Sequence, residues 1–154
     1  MITLNSDAAS TSLSKTTKAI LNEYGIKLNK NLGQNYLIDR NKRDQIIQFG
    51  NLTKDDVVLE IGPGIGTLTI ELAKRVKKVI AIEQDSNICQ ILENRLKKEN
   101  IDNVELINDD ALNVEFPKFD KIISNLPYQI SSPITFKFLN YDFQLAILMY
   151  QKEF

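Results

Sequence analysis

The sequence predicts an α/β protein built on a doubly wound, mostly parallel sheet, and three observations carry that expectation. Short apolar runs alternate with amphipathic helical stretches from about residue 50 onward, the pattern of strand–helix–strand units. The apolar runs are nearly continuous rather than alternating, as parallel strands covered on both faces require. The first of them, Val57-Val58-Leu59-Glu60-Ile61, breaks into Gly62-Pro63-Gly64-Ile65-Gly66 and resumes with helical spacing in Thr67-Leu68-Thr69-Ile70-Glu71-Leu72-Ala73. Glycines let such a turn reach positive φ and bring a ligand close to the backbone.

Each element has its own signal. Residues 1–10 are small and polar, an expected loose end. Thr11 to Tyr24 has helical spacing and meets a stop at Gly25; Ile26 to Asn35 is a loop rich in Lys, Asn and Gly. Asp39 is an N-cap for a helix through Ile46, Ile47 and Phe49 that stops at Gly50. A strand at 57–61 and a helix at about 66–75 follow. Lys78 to Glu83 is a second strand, ending in an acid. Ser86 to Glu99 is a helix with Ile88, Ile91, Leu92 and Leu96 on one face. Val104 to Ile107 is a third strand, opening into Asn108-Asp109-Asp110-Ala111-Leu112. Phe119 to Ser124 is a fourth strand, halted by Asn125-Leu126-Pro127-Tyr128. Pro133 to Leu139 is a helix with proline in its first turn, and Gln144 to Tyr150 is a fifth strand.

Composition narrows the function classes. At 154 residues the chain is one domain, long enough to bury roughly two-thirds of its unfolded surface. Hydrophobic residues make up 43% and charged residues 25%, ordinary values for a globular chain. No apolar run approaches the roughly 20 residues that span a bilayer, and the N-terminus lacks the basic start and apolar core of a signal peptide. No membrane partner is expected, and the expected address is the cytoplasm. Cys89 is the one cysteine, which excludes an internal disulfide or a multi-cysteine metal site; within its helical pattern it reads as a small buried side chain. Histidine is absent, which removes the usual general base, the usual zinc ligand and every Ser-His or Cys-His nucleophile pair. No metal is expected. Residues 1–50 carry seven basic side chains against four acidic, leaving 12 basic and 16 acidic for the remainder. A basic front on an acidic body suits contact with a polyanion, or is simply a solvated face.

The glycine turn points to a ligand class. A dinucleotide fingerprint is Gly-x-Gly-x-x-Gly, whereas here Gly62, Gly64 and Gly66 fall at every second position and Thr67 stands where the third glycine belongs. With Glu60 just ahead, this is the pattern of Rossmann-like S-adenosylmethionine-dependent methyltransferases, whose ligand has no pyrophosphate. A purely structural turn in another α/β protein is the competing reading. In doubly wound sheets ligands lie beyond the strand C-termini, and the informative residues fall there. Glu83 can take two ribose hydroxyls. Asp110, with Asp109 as competitor, can accept from the exocyclic amine of an adenine. Asn125-Leu126-Pro127-Tyr128 fits methylation of an amino group on a base. Such a nitrogen is a poor nucleophile because its lone pair is delocalised into the ring. The Asn125 side-chain oxygen and the Leu126 carbonyl can hold its two hydrogens and turn the lone pair outward. Pro127 restricts the backbone there, and Tyr128 can stack on an extruded base. The competing reading is a strand-ending turn with a core tyrosine.

These stretches together resemble the KsgA-type ribosomal RNA adenine dimethyltransferases. The resemblance runs from about Leu13 to the last residue. It rests on Leu32-Gly33-Gln34-Asn35-Tyr36-Leu37, Glu60 to Gly66, Glu83, Asp110-Ala111-Leu112, Asn125 to Pro133, and Met149-Tyr150-Gln151-Lys152-Glu153. It implies dimethylation of adenines in small-subunit ribosomal RNA, with S-adenosyl-L-methionine as cofactor and the small ribosomal subunit or its precursor as partner. By position, Asn35 and Leu37 would contact the cofactor together with Gly62, Gly64, Glu83, Asp110 and Asn125. Residues 1–50 would then be N-terminal helices and a cofactor-covering loop, and residues 51–154 the methyltransferase core. Leu126 and the Ser131-Ser132-Pro133 that follows favour this branch over the Erm-type large-subunit enzymes, and the run from Gln129 to Phe136 looks most like archaeal members. Tyr36 and Tyr150 depart from the family's usual phenylalanine and valine. Family members continue through two more strands and a helical domain, so the expectation is an N-terminal part whose sheet is truncated after strand five. A catalytically inert cofactor- or RNA-binding fragment, or a methyltransferase acting on another amino nitrogen, are the alternatives.

Overall fold

The structure, a computed structural model, describes residues 6–27 and 39–150, with side chains described for 15–27 and 39–150. Its centre is a five-stranded sheet of β1 (Val57–Ile61), β2 (Lys78–Glu83), β3 (Val104–Asn108), β4 (Lys121–Asn125) and β5 (Leu145–Met149). The strand order is β3-β2-β1-β4-β5 and every neighbouring pair is parallel, so the mostly parallel expectation becomes wholly parallel. Parallel neighbours need crossovers. Helices α3 (Thr69–Ala73), α4 (Ser86–Lys98) and α5 (Ser131–Phe138) supply three of them, while residues 109–120 join β3 to β4 without a helix. Ahead of the sheet lie α1 (Ser6–Glu23) and α2 (Arg40–Phe49).

The boundaries follow local chemistry. Asp39 caps α2 by accepting the N–H groups of Asn41 at 2.9 Å and Lys42 at 3.2 Å, and Asp85 caps α4 through Asn87 and Ile88. Such caps satisfy donors that have no partner in the first helical turn. Two elements differ from expectation. The helix after the glycine turn begins only at Thr69, because Gly66 still belongs to the turn, its N–H bonded to Pro63 O at 3.1 Å. A single 3-10 turn at Tyr128–Ile130 stands between β4 and α5, which starts two residues before Pro133. Its Ile130 N–H returns to Pro127 O at 3.2 Å, a backbone bond that residue type alone does not announce.

Successive strand residues face opposite sides of the sheet, and the core divides accordingly. Leu59, Ile61, Ile80, Ile82 and Ile122 pack with Phe116, Phe119, Leu126, Ile134 and Phe138 on one face. Val58, Val79, Ala81 and Ile123 pack with Ile46 and Ile47 of α2 and with Leu68, Leu72 and Val76 on the other. Full burial of such side chains contributes about 1.5–3 kcal/mol each, so the sheet is fixed by its covers. Cys89 is buried as expected.

At the N-terminal ends of β1 and β4, opposite the glycine turn, a buried ion pair joins Asp56 to Lys121. Lys121 Nζ lies 2.9 Å from Asp56 Oδ2 and donates to Asn51 O at 2.8 Å, while the Thr53 N–H reaches the same Oδ2 at 2.7 Å. Burial alone would raise the Asp56 pKa, but the Lys121 ammonium and the Thr53 N–H outweigh it and hold it below the usual value. The pair therefore contributes stability above the ordinary carboxylate range, lost as pH falls through the depressed value. Lys121→Met would strand a buried carboxylate. We expect a loss of about 3 kcal/mol at neutral pH, the low end for breaking a buried pair, shrinking in strong acid. Urea denaturation at the two pH values checks this, and equal stability of variant and wild type at pH 7 would refute it.

Candidate functional site

The strand order reverses between β1 and β4, and this is where a crevice opens beyond the strand C-termini in doubly wound sheets. The glycine turn leaves β1 on one side of it and Asn125-Leu126-Pro127-Tyr128 leaves β4 on the other. The Gly62 N–H bonds Ile82 O at 2.9 Å, extending the β1–β2 ladder by one residue. Gly62 has φ +69°, and a Cβ placed there would lie 2.8 Å from Pro127 Cγ. The two motifs are thus in direct contact, and only the absence of a side chain permits it. On the far side of the turn, a Cβ at Gly66 would lie 2.4 Å from Leu92 Cδ1 of α4.

A residue without a sequence signal joins the two strands. The β1–β4 register covers Val58↔Lys121 and Leu59↔Ile122. Beyond it the Ser124 hydroxyl donates to Ile61 O at 2.6 Å and accepts the Ile61 N–H at 3.1 Å. Ser124 is fully buried. Its side chain takes the place of a backbone pairing, which satisfies groups that would otherwise be costly to bury, and it sits between Ile61, just ahead of Gly62, and Asn125.

Two carboxylates lie behind the turn. Glu83 ends β2 and is 8% exposed. Burial pushes its pKa up to about 7; the N–H groups of Asp85, Gln84 and Gly64 act against this and the Asp85 charge adds to it. Gln84 N–H donates to Oε2 at 2.9 Å. Glu60 is buried more deeply, and burial pushes it up to about 8, with the Glu83 charge adding and the Thr69 hydroxyl opposing. That hydroxyl donates to Glu60 Oε2 at 2.6 Å. Groups whose ionisation is moved toward neutrality in a crevice are the usual mark of a working site. Cys89 donates its thiol toward Glu83 O, and burial pushes the thiol up to about 12. It stays protonated and is no nucleophile.

The loop after β3 presents the two competing acids differently. Asp109 is exposed and its Oδ1 accepts the Asp110 N–H at 2.7 Å. Asp110 is half-buried; its Oδ1 accepts the Leu112 N–H at 2.9 Å, and the Asn113 amide reaches Oδ2 at 3.5 Å. The loop is tied to the second strand, since Glu83 O accepts from Asp109 N–H at 3.1 Å and from the Asn108 amide at 2.9 Å.

Asn125 is half-buried at the end of β4, opposite Met149. The Leu126 N–H bonds Met149 O at 3.1 Å and its side chain is buried in the core. Tyr128 is 44% exposed, so it is a surface ring and not a core tyrosine. Asn35 and Leu37 lie outside the described residues. The structure thus brings Gly62, Gly64, Glu83, Asp110 and Asn125 to one edge of the sheet. Sequence reasoning assigned no role to Ser124, Thr69, Lys137 or Arg95, the last of which donates to Ile65 O inside the glycine turn. A single charged residue in α5 was the only signal for Lys137. Among the described residues no group of His, Cys, Asp and Glu could hold a metal ion, and no helix is long and apolar enough to cross a membrane.

Comparison with known proteins agrees with this geometry. A family model described as "Ribosomal RNA adenine dimethylase" matches residues 25–154. The chain is 59% identical over 138 residues to a "Probable ribosomal RNA small subunit methyltransferase A" of Methanosphaera stadtmanae, covering 90% of this chain and 51% of that protein. A protein of the same description from Methanothermobacter thermautotrophicus is 57% identical over 138 residues, covering 90% and 50%. Among solved structures, a dimethyladenosine transferase from Plasmodium falciparum superposes with TM-score 0.69 and 41% identity over 73% of this chain and 42% of that one. The 23S rRNA methyltransferase ErmE gives TM-score 0.67 and 34% identity over 74% and 47%. The chain spans about half the length of the curated relatives it matches. Because the family match covers the whole sheet and both motifs that meet in its crevice, the chain belongs to the ribosomal RNA adenine dimethylase family.

Proposed function

We propose that this chain is the cofactor-binding and catalytic part of an enzyme that dimethylates the exocyclic amino group of adenines in small-subunit ribosomal RNA, in the cytoplasm. The observation that carries the reading is the contact between Gly62 and Pro127, which sets a cofactor turn directly against an amine-holding motif. Relatives described as small-subunit methyltransferases share 57–59% of aligned residues, against 34% for ErmE, which supports the small subunit as target over the large.

The residues fit S-adenosylmethionine as donor. The Gly62 position has no room for a side chain, so backbone lines the crevice there. The Glu83 carboxylate, almost wholly buried at the end of β2, would accept the two ribose hydroxyls, and Asp110 the adenine amine. Asn35 and Leu37 would cover the cofactor, and Gly64 would border its amino-acid end. When bound, the cofactor supplies an electrophilic methyl group. Asn125 Oδ1 and the Leu126 carbonyl accept the two hydrogens of the target amine and turn its lone pair into the crevice. Tyr128 stacks on the extruded base. No side chain has to remove a proton beforehand, because the nitrogen becomes acidic as it gains the methyl group, and water can take the proton. A chain without histidine can run this chemistry.

Two outcomes test the reading. Ribose hydroxyls donate to ionised Glu83, so affinity for S-adenosylhomocysteine should be full above about pH 7 and fall as Glu83 takes up its proton below it. Glu83→Gln should weaken binding by about 1–3 kcal/mol, the scale for bonds to a charged group, and flatten the pH dependence. Calorimetric titration from pH 6 to 8.5 showing identical curves for both proteins would remove Glu83 from the ribose. Asn125→Ala should lower methyl transfer to unmethylated small subunits roughly 10²-fold, as loss of a preorganised transition-state hydrogen bond does. Its affinity for S-adenosylhomocysteine should change far less. Near-normal transfer by this variant would refute the amine-holding role.

A further inference from the structure

Helix α5 follows the Asn125–Tyr128 motif and carries one cation in its last turn, Lys137. Its ammonium turns inward. Nζ donates to Ala111 O at 2.7 Å and to Val114 O, and it sits 4.3 Å from the centroid of the Phe116 ring. A lysine head is a compact charge with three donors and can gather several carbonyls that face different ways; the ring face adds a further attraction. Burial lowers the Lys137 pKa, while the Asp110 and Glu115 charges oppose that change.

The gathered carbonyls belong to the turn that Asp110 opens. Asn113 N–H and Val114 N–H both return to Asp110 O, at 2.9 and 3.1 Å, and Leu112 N–H to Asp110 Oδ1 at 2.9 Å. The other end of the linkage is also fixed. Ser131 Oγ at the start of α5 donates to Tyr128 O at 2.9 Å, and Leu126, Ala111, Ile134 and Phe138 share one core cluster. Lys137 is therefore the polar tie between the loop after β3 and the helix after β4.

We infer that Lys137 is a positioning residue for base recognition in the cofactor crevice: by holding the Ala111 and Val114 carbonyls it sets the Asp110 carboxylate to read an exocyclic amine. The inference rests on the function proposed above. A lysine that merely fills space beside the loop would instead be replaceable by any side chain of similar length.

The test uses S-adenosylhomocysteine and S-inosylhomocysteine, which carries an oxygen in place of the exocyclic amine, titrated calorimetrically into the full chain. Wild type should prefer the adenine form by about tenfold, the weight of one hydrogen bond. Lys137→Met keeps a stem of similar length without the ammonium and should bring the preference to within about twofold. In an Asp110→Asn background the same change should have no further effect on preference, because the two residues act as one unit. Lys137→Gln, which retains a donor, should fall between wild type and the methionine variant, and it decides the matter if Lys137→Met does not fold. A variant with lowered melting temperature but undiminished preference overturns the inference alone, as does an additive effect with Asp110→Asn. Failure of wild type to bind S-adenosylhomocysteine overturns the proposed function and this inference with it.

Discussion

The contact of Gly62 with Pro127 is the constraint on which the crevice depends. A Cβ at Gly62 would press within 2.8 Å of Pro127 Cγ, and the positive φ there already disfavours any other residue. Removing the glycine would therefore push the β1 turn and the β4 motif apart. The remaining features hold that contact in place. Ser124 joins the strands immediately ahead of the two motifs, through both polar groups of Ile61. Leu126 is sunk in the core and Pro127 accepts the first bond of the 3-10 turn. The proposed transfer between two bound molecules would gain from such fixed placement, because orientation removes an entropic part of the barrier.

The crevice is held at a cost. Glu60 and Glu83 are buried near each other, and their pKa values rise to about 8 and about 7. Raised carboxylate values mean that the folded protein keeps protons the unfolded chain has released, so these two acids withdraw stability as pH rises from the ordinary carboxylate range through neutrality. The opposite end of the sheet behaves otherwise. There Asp56 has its cation and its N–H donor inside the protein, and its pKa is lowered. One end sets its carboxylate against a cation, and the other holds two carboxylates with N–H and hydroxyl donors instead.

Much of the fold was legible because parallel sheets write themselves as continuous apolar runs bounded by turn residues. All five strands were found with ends displaced by at most two residues, and the Asp39 cap lies where its side chain predicts. The helix after the glycine turn was read too long because spacing cannot tell a turn that still obeys the glycines from the first turn of a helix. The 3-10 turn at Tyr128 was missed because Pro127 and Ser131 signal an irregular stretch without giving its hydrogen bonds. The places of Glu83, Asp110 and Asn125 at or just past strand ends could be read from sequence, because the apolar runs stop there. Ser124, Thr69 and Lys137 could not. Their partners are backbone carbonyls or a buried acid brought near only by the crossovers, and nothing in a serine before an asparagine or a lone lysine in a helix states that distance.

These residues have a common logic. Glu83, Asp110 and Asn125, at or just beyond strand ends, each have near them in the fold a residue that satisfies backbone. Asn108 ties its amide to the Glu83 carbonyl, Lys137 gathers the carbonyls after Asp110, and Ser124 closes the ladder before Asn125. A strand end left without such ties would have peptide groups competing with the ligand for the same side chains, since an unpaired buried peptide group costs as much as a lost hydrogen bond. Settling the backbone at these strand ends, together with the Gln84 and Leu112 N–H groups that Glu83 and Asp110 accept, fixes where the side chains lie. The proposed transfer would need its two partners held to within a fraction of an ångström, and short ties to backbone at the strand ends supply stiffness of that kind.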